Sequence, residues 1–182
     1  RTLITVSTLL PTADSASKVA AHLARLYNTN GTGAVQICLL ADLKQAKYPA
    51  MPQDEADIAA MTREIQRLNH YCPGSFVLAV RPRTFSPTMQ SYSGWERKRG
   101  AITQLVRLIR GQEGEFLALE GDIDRLRRTK YLLALDSDTD MRMDTVSQLV
   151  GAALHPCNRP VIDPITQRVV AGYGILTPRM GV

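Results

Sequence analysis

Two carboxylates one residue apart, Asp136 and Asp138, follow the apolar run Tyr131-Leu132-Leu133-Ala134-Leu135. Like charges at that spacing repel unless a cation sits nearby. Carboxylate oxygens are hard ligands that suit Mg²⁺ or Mn²⁺, and Mg²⁺ is commonly held by one or two carboxylates plus substrate phosphates. The plain alternative is a polar loop in which Asp140 and Asp144 cap the next helix. A second feature is Arg97-Lys98-Arg99 at the start of a helical pattern. The helix dipole disfavours cations there, so three together point to an anion. Free backbone N–H groups at a helix start also attract phosphate, and Gly100 lets a ligand or strand come close. A solvated basic surface is the competing reading. A carboxylate pair for a metal and a basic helix start both suit a diphosphate. Asp42, at the end of another apolar run, can accept hydrogen bonds from a base or ribose, or shape a turn.

The elements that must position these groups alternate. Residues 3–10 form an apolar, β-branched run ended by Pro11, read as a buried strand. Asp14 or Ser15 can cap a helix to about residue 27, with Val19, Leu23 and Leu26 at helical spacing. A second buried strand covers 34–41 and ends at Asp42. Asp54, Glu55 and Asp57 load a helix start with acid, where the dipole favours it. Its apolar stripe is Ile58, Met61, Ile65 and Leu68, and Pro73-Gly74 breaks it. A third strand at 76–80 runs into Arg81-Pro82-Arg83. Residues 86–93 read as a polar loop. A helix at 95–110 has Ile102, Leu105, Val106 and Ile109 on one face, and Gly111 ends it. Residues 116–119 are a short apolar piece of open type, and 122–128 hold one helical turn or two. The fourth strand is 131–135. A helix capped by Asp144 runs to residue 154, and 161–162 with 169–170 flank a hairpin turn.

Strands and helices alternating four times give an α/β layered domain with a mainly parallel central sheet. In such sheets ligands bind outside the carboxyl ends of the strands. The polar residues at those ends are Thr8 with Pro11, Asp42, Arg81 with Arg83, and Asp136 with Asp138.

The chain has 182 residues and fits a single domain, with 45% hydrophobic and 21% charged residues, so disorder is not expected. Its net charge of +5 points to an anionic partner. Nucleic-acid binders cluster their charge, and beyond Arg97-Lys98-Arg99 the one other cluster, Arg125-Arg127-Arg128-Lys130, reads as solvated surface. No nucleic-acid partner is expected. Aromatics at 5% do not suggest a stacking platform. Cys38, Cys72 and Cys157 lie far apart without zinc spacing, and Cys38 reads as a small core residue. His22, His70 and His155 are scattered and read as structural or surface groups. No apolar run is long enough to span a bilayer. The chain opens on Arg1 directly before a strand, which suggests a piece of a longer protein.

The chain resembles the nucleotide-binding half of a GT-A-fold glycosyltransferase of the processive family-2 type. Val6-Ser7-Thr8-Leu9-Leu10-Pro11-Thr12 is similar to the first strand and its proline turn. Asp42 falls where that family's first Asp contacts uracil. Lys98-Arg99-Gly100-Ala101-Ile102-Thr103 resembles a Lys-x-Gly-Ala-Leu-Asn pattern whose Lys lies near the nucleotide, and Asp136-Ser137-Asp138 matches the DxD motif. A closer resemblance is to the central domain of cyclic β-1,2-glucan synthases, glycosyltransferase family 84. It is carried by Gly94-Trp95-Glu96-Arg97-Lys98-Arg99-Gly100, by the 133–139 segment around the DxD, by His155-Pro156-Cys157-Asn158-Arg159-Pro160, and by Gly172-Tyr173-Gly174-Ile175-Leu176-Thr177-Pro178-Arg179.

The resemblance implies UDP-glucose as donor, Mg²⁺ or Mn²⁺, and inverting transfer to a growing β-1,2-glucan acceptor. It implies Asp138, helped by Asp136, as metal ligands. Thr8, Pro11, Asp42, Arg81, Lys98, Arg99 and Asp136 are the implied nucleotide-sugar residues. Full-length members are large membrane proteins, which places such a domain at the cytoplasmic face of the bacterial inner membrane, tied to it through segments absent from this chain. The family's catalytic-base carboxylate and its Gln-x-x-Arg-Trp motif do not occur after the DxD segment, so both are expected beyond Val182, and the chain reads as the donor half. Asp163 is a weak base candidate and a more ordinary turn residue. The alternatives are a non-catalytic folded scaffold within a larger membrane protein, and a haloacid-dehalogenase-type phosphatase. The phosphatase pattern wants Thr or Val where Asp140 stands. A dinucleotide-binding domain lacks its Gly-x-Gly-x-x-Gly after the first strand.

Overall fold

The computed structural model describes residues 1–112 and 114–177. They form two compact units, Arg1–Asp140 and Met141–Val182.

The first unit is built on five strands in the order β6-β3-β2-β1-β7. These are β1 (Thr2–Leu9), β2 (Val35–Asp42), β3 (Phe76–Arg81), β6 (Ala118–Glu120) and β7 (Tyr131–Asp136). β1, β2, β3 and β7 run parallel, and only β6 is antiparallel, against β3. The mixed α/β layered class with a mainly parallel sheet is therefore what the chain adopts. Strands buried on both faces read as unbroken apolar runs, and β2 is buried from Val35 to Ala41.

Helices cover both faces. α1 (Ala16–Asn30) and α2 (Asp54–Tyr71) pack on each other, α1 against β2 and α2 against β3. On the other face, Leu3, Cys38, Leu40, Val77 and Ala79 pack with Ala101, Leu105 and Leu108 of α3 (Arg97–Ile109) and with Leu126 of α4 (Ile123–Arg127). Burying one such side chain contributes about 1.5–3 kcal/mol, so this layer fixes where α3 begins. Cys38 is a core residue as expected, and burial pushes its thiol up to about 12.

The sequence readings differ from the structure in local detail. Residues 86–93 are not only a loop. β4 (Thr84–Ser86) and β5 (Ser91–Ser93) pair as a hairpin, and Tyr92 exchanges backbone hydrogen bonds with Ala46 at 2.8 and 3.0 Å. Strands of three residues rich in Ser and Thr leave no apolar run to read. The open piece at 116–119 supplies β6. α1 starts after a 3-10 turn at Ala13–Ser15, and Ser15 makes no side-chain cap bond; its hydroxyl turns back to the Thr12 carbonyl at 3.0 Å. Arg125 is not a solvated surface cation, because its Nη2 donates to the carbonyls of Gly33 and Val35.

The second unit holds α5 (Thr145–Leu154) and the antiparallel pair β8 (Val161–Ile162) and β9 (Val169–Ala171). Asp144 stands before α5 with φ 62° and makes no side-chain cap bond. No helix among the described residues is long and apolar enough to cross a membrane.

Candidate functional site

Parallel pairing brings the strand ends into one row. Ser7 of β1 lies beside Asp136 of β7, and Asp42 of β2 beside Arg81 of β3. The expected site residues thus gather at the carboxyl edge of the sheet, but their roles differ.

Arg81 and Asp42 bind each other. Arg81 Nε donates to Asp42 Oδ1 at 2.7 Å and Nη2 to Oδ2 at 2.8 Å. Arg81 Nη2 also donates to the carbonyl of Arg97 at 3.0 Å, and both terminal nitrogens reach the Trp95 carbonyl at 3.3 Å. The Arg81 side chain is only 2% exposed. Both Asp42 oxygens are therefore committed to a guanidinium, and the pair anchors the 94–100 loop to the strand ends. A Cβ on Gly94 would sit 2.4 Å from Asp42 Oδ2, and one on Gly100 would sit 2.0 Å from the Trp95 carbonyl oxygen. Only glycine permits either approach. Between them Glu96 and Arg97 take left-handed φ values of 49° and 47°. Two such non-glycine residues in a row store local strain, held by the surrounding contacts.

This turn aims Lys98 at the DxD. Lys98 Nζ lies 2.5 Å from Asp136 Oδ1, although both side chains are substantially exposed. Exposed pairs contribute about 0–1 kcal/mol, so Lys98 exchanges partners at little cost. Arg99 pairs instead with Glu96, at 2.8 Å from Nε and 2.7 Å from Nη2, out on the surface. Pro11 is buried just past the end of β1. Arg83, beside the site in sequence, is a buried structural clamp: it pairs with Asp54 and donates to the carbonyls of Lys44 and Pro49. That pairing holds the Asp54 carboxyl below the ordinary carboxylate range.

Asp138 faces a different partner set. With Thr8 it lines a cleft of about 550 Å³ whose other wall is α1, through Lys18, His22 and Arg25, and whose rim includes Asp140. Arg25 Nη2 donates to His22 Nδ1 at 3.1 Å, and Asp140 Oδ1 lies 3.6 Å from that nitrogen. His22 Nε2 is a buried atom with no hydrogen-bond partner among the described residues. The sequence takes His22 as a structural or surface group and gives no role to Lys18 or Arg25. Their i, i+4, i+7 spacing was the available signal, since it stacks them on one helix face.

A divalent cation fits this donor set in a limited way. The described residues contain no cluster of three metal-ligating side chains. Asp138 at the cleft, with Asp136 nearby in the same turn, matches the habit of ions that share their coordination with phosphate oxygens. In the second unit, Asp163 Oδ1 accepts from the backbone N–H groups of Ile165 and Thr166 at 2.8 and 2.7 Å. Those bonds hold its carboxyl below the usual range and are those of a turn residue.

No protein-family model matches the chain. Over 184 aligned positions it is 35% identical to the cyclic β-(1,2)-glucan synthase NdvB of Rhizobium meliloti (strain 1021). The alignment covers 99% of this chain and 6% of that protein's length. The chain is a homologue of one segment of that glucan synthase. The aligned segment includes both units, so it takes in the anchored 94–100 loop, the DxD turn and the α1 wall alike.

Proposed function

We propose that this chain is the donor-binding part of a glycosyltransferase that takes UDP-glucose and builds β-1,2-linked glucan by inverting transfer. Homology to a glucan synthase supports the glycosyltransferase-type role. The observation that carries the finer reading is the meeting of Lys98 with Asp136 at the strand edge, next to the turn that presents Asp138 to a basic-walled cleft.

The chemistry follows from charge. Glycosyl transfer leaves negative charge on the departing diphosphate, and fixed positive groups stabilise it. A bound Mg²⁺ or Mn²⁺ supplies part of that charge; Asp138, helped by Asp136, is the group that would hold it. Lys98 releases Asp136 and turns to a phosphate oxygen. Lys18 and Arg25 line the same cleft as Asp138 and offer donors to anionic oxygens. Thr8 lines that cleft, and buried Pro11 closes the end of β1. Arg81 and Asp42 act by holding the loop, and Arg99 stays on the surface. The acceptor hydroxyl needs a general base within hydrogen-bond reach, and Asp163, bonded within its own turn, is the weaker place to look for it than the chain beyond Val182.

Calorimetric titration of UDP into the chain, with and without Mn²⁺, tests this. The expected result is metal-dependent binding that Asp138→Ala abolishes and Lys98→Ala weakens about tenfold, the scale of one charge-assisted hydrogen bond. Metal-independent binding, or binding unchanged in Asp138→Ala, overturns the reading.

A further inference from the structure

Aromatic residues are 5% of the chain, yet Phe85 and Trp95 line one cleft and Tyr92 packs on Phe85. Phe85 and Tyr92 lie on the two strands of the β4–β5 hairpin with ring centroids 5.2 Å apart. Opposite the hairpin stands Trp95 of the anchored loop. Between hairpin and loop runs a cleft of about 470 Å³ lined by Phe85, Met89 and Trp95, with Ser86, Ser93 and Glu96 among its polar members. That volume falls within the range of small-ligand sites, about 300–1,000 Å³. The three apolar side chains are 44–50% exposed. Large apolar groups left open together and ringed by polar ones mark a binding surface.

The cleft shares its wall with the donor site. The Trp95 carbonyl is held by Arg81, and three residues on, Lys98 reaches Asp136. A ligand in this cleft therefore lies along the same loop that would hold the donor's diphosphate. A pyranose ring matches the lining. Its C–H faces pack on indole and phenyl rings, whose π-faces carry negative charge, while its equatorial hydroxyls reach Ser and carboxylate groups at the edge. The donor's own sugar is tied to the diphosphate, so the sugar suited to a neighbouring cleft is the acceptor.

We infer that the cleft between the β4–β5 hairpin and Trp95 is an acceptor subsite that stacks glucosyl residues of the growing glucan on Trp95 and Phe85. This rests on the glycosyltransferase reading above. Trp95 is the chain's single tryptophan, so its emission reports on this cleft directly. Titrating linear β-1,2-linked glucotetraose into the chain should give a saturable emission change. Phe85→Ala should weaken that binding about fivefold or more, and Met89→Ala supplies a second variant should Phe85→Ala not fold by circular dichroism. A flat titration, or unchanged affinity in the folded variant, overturns the inference. So does UDP-glucose with Mn²⁺ displacing the oligosaccharide competitively, since the cleft would then hold the donor's sugar. UDP binding is scored separately by calorimetry: UDP binding without oligosaccharide binding sinks the subsite and leaves the donor reading intact, and the reverse pattern sinks the donor reading and the acceptor role with it, leaving only a sugar-binding cleft.

Discussion

Replacing Arg81 with Met removes the guanidinium that ties Asp42 to the backbone of Trp95 and Arg97. The surroundings set the size of the effect. Arg81 is 2% exposed and Asp42 14%, so the substitution strands a carboxylate where water hardly reaches. Removing one partner of a buried pair costs about 3–5 kcal/mol, against a total stability of about 5–15 kcal/mol for a domain. For a chain of this size 1 kcal/mol moves Tm by about 2–4 °C, so the fall should be about 6–20 °C. Thermal unfolding by circular dichroism at neutral pH measures it. The double variant Arg81→Met with Asp42→Leu should recover part of the loss, because no unpaired charge remains, while the loop carbonyls still lack their donors. A fall of less than about 3 °C in the single variant, or a double variant worse than the single one, would refute the idea that a buried ion pair anchors the loop.

The Asp54–Arg83 clamp should be pH-sensitive. A folded carboxyl held below its ordinary range stabilises above that range and loses the effect as pH falls through the lowered value, so the Tm gap between the native chain and Asp54→Asn should be constant near neutrality and close below about pH 4; a gap unchanged on acidification would count against the clamp. Burial pushes the Cys38 thiol up to about 12, so iodoacetamide should label exposed Cys157 in the native chain and reach Cys38 only after unfolding, as read by peptide mass spectrometry. Gly100→Ala would place a Cβ 2.0 Å from the Trp95 carbonyl oxygen, and the forced shift should cost about 1–3 kcal/mol in urea unfolding; a neutral result would mean the loop yields freely.

The layered fold was legible because its signal is local. β1, β2 and β3 are covered on both faces, so their apolar runs stand out, and α2 carries its stripe at Met61, Ile65 and Leu68. The β4–β5 hairpin was not legible, since three-residue strands of Ser and Thr carry no periodicity and their pairing is fixed by a distant bridge at Ala46. The positions of Thr8, Asp42, Arg81 and Asp136 were legible for the same reason: they stand at strand ends. Their partners were not. Arg81 reads as a polar strand-end residue suited to the nucleotide sugar until Asp42, 39 positions earlier, is seen to take it. The basic stripe of Lys18, His22 and Arg25 is visible as spacing, but the acidic turn opposite it lies at the far end of the first unit.

Arg81 grips the 94–100 loop through backbone carbonyls, and this decides what the loop offers. Because the carbonyls of Trp95 and Arg97 are the acceptors, neither side chain is spent on anchoring. The left-handed turn at Glu96 and Arg97 then lets residues three positions apart serve different places, Trp95 at the aromatic cleft and Lys98 at Asp136. Glycines at 94 and 100 are needed because the backbone itself is pressed against a carboxylate and a carbonyl. Changes to the anchors Arg81, Asp42, Gly94 or Gly100 should therefore disturb donor and sugar binding together. Changes to Lys98 or Phe85 should disturb only one, and that asymmetry separates a loop that merely folds from one that places two ligands side by side.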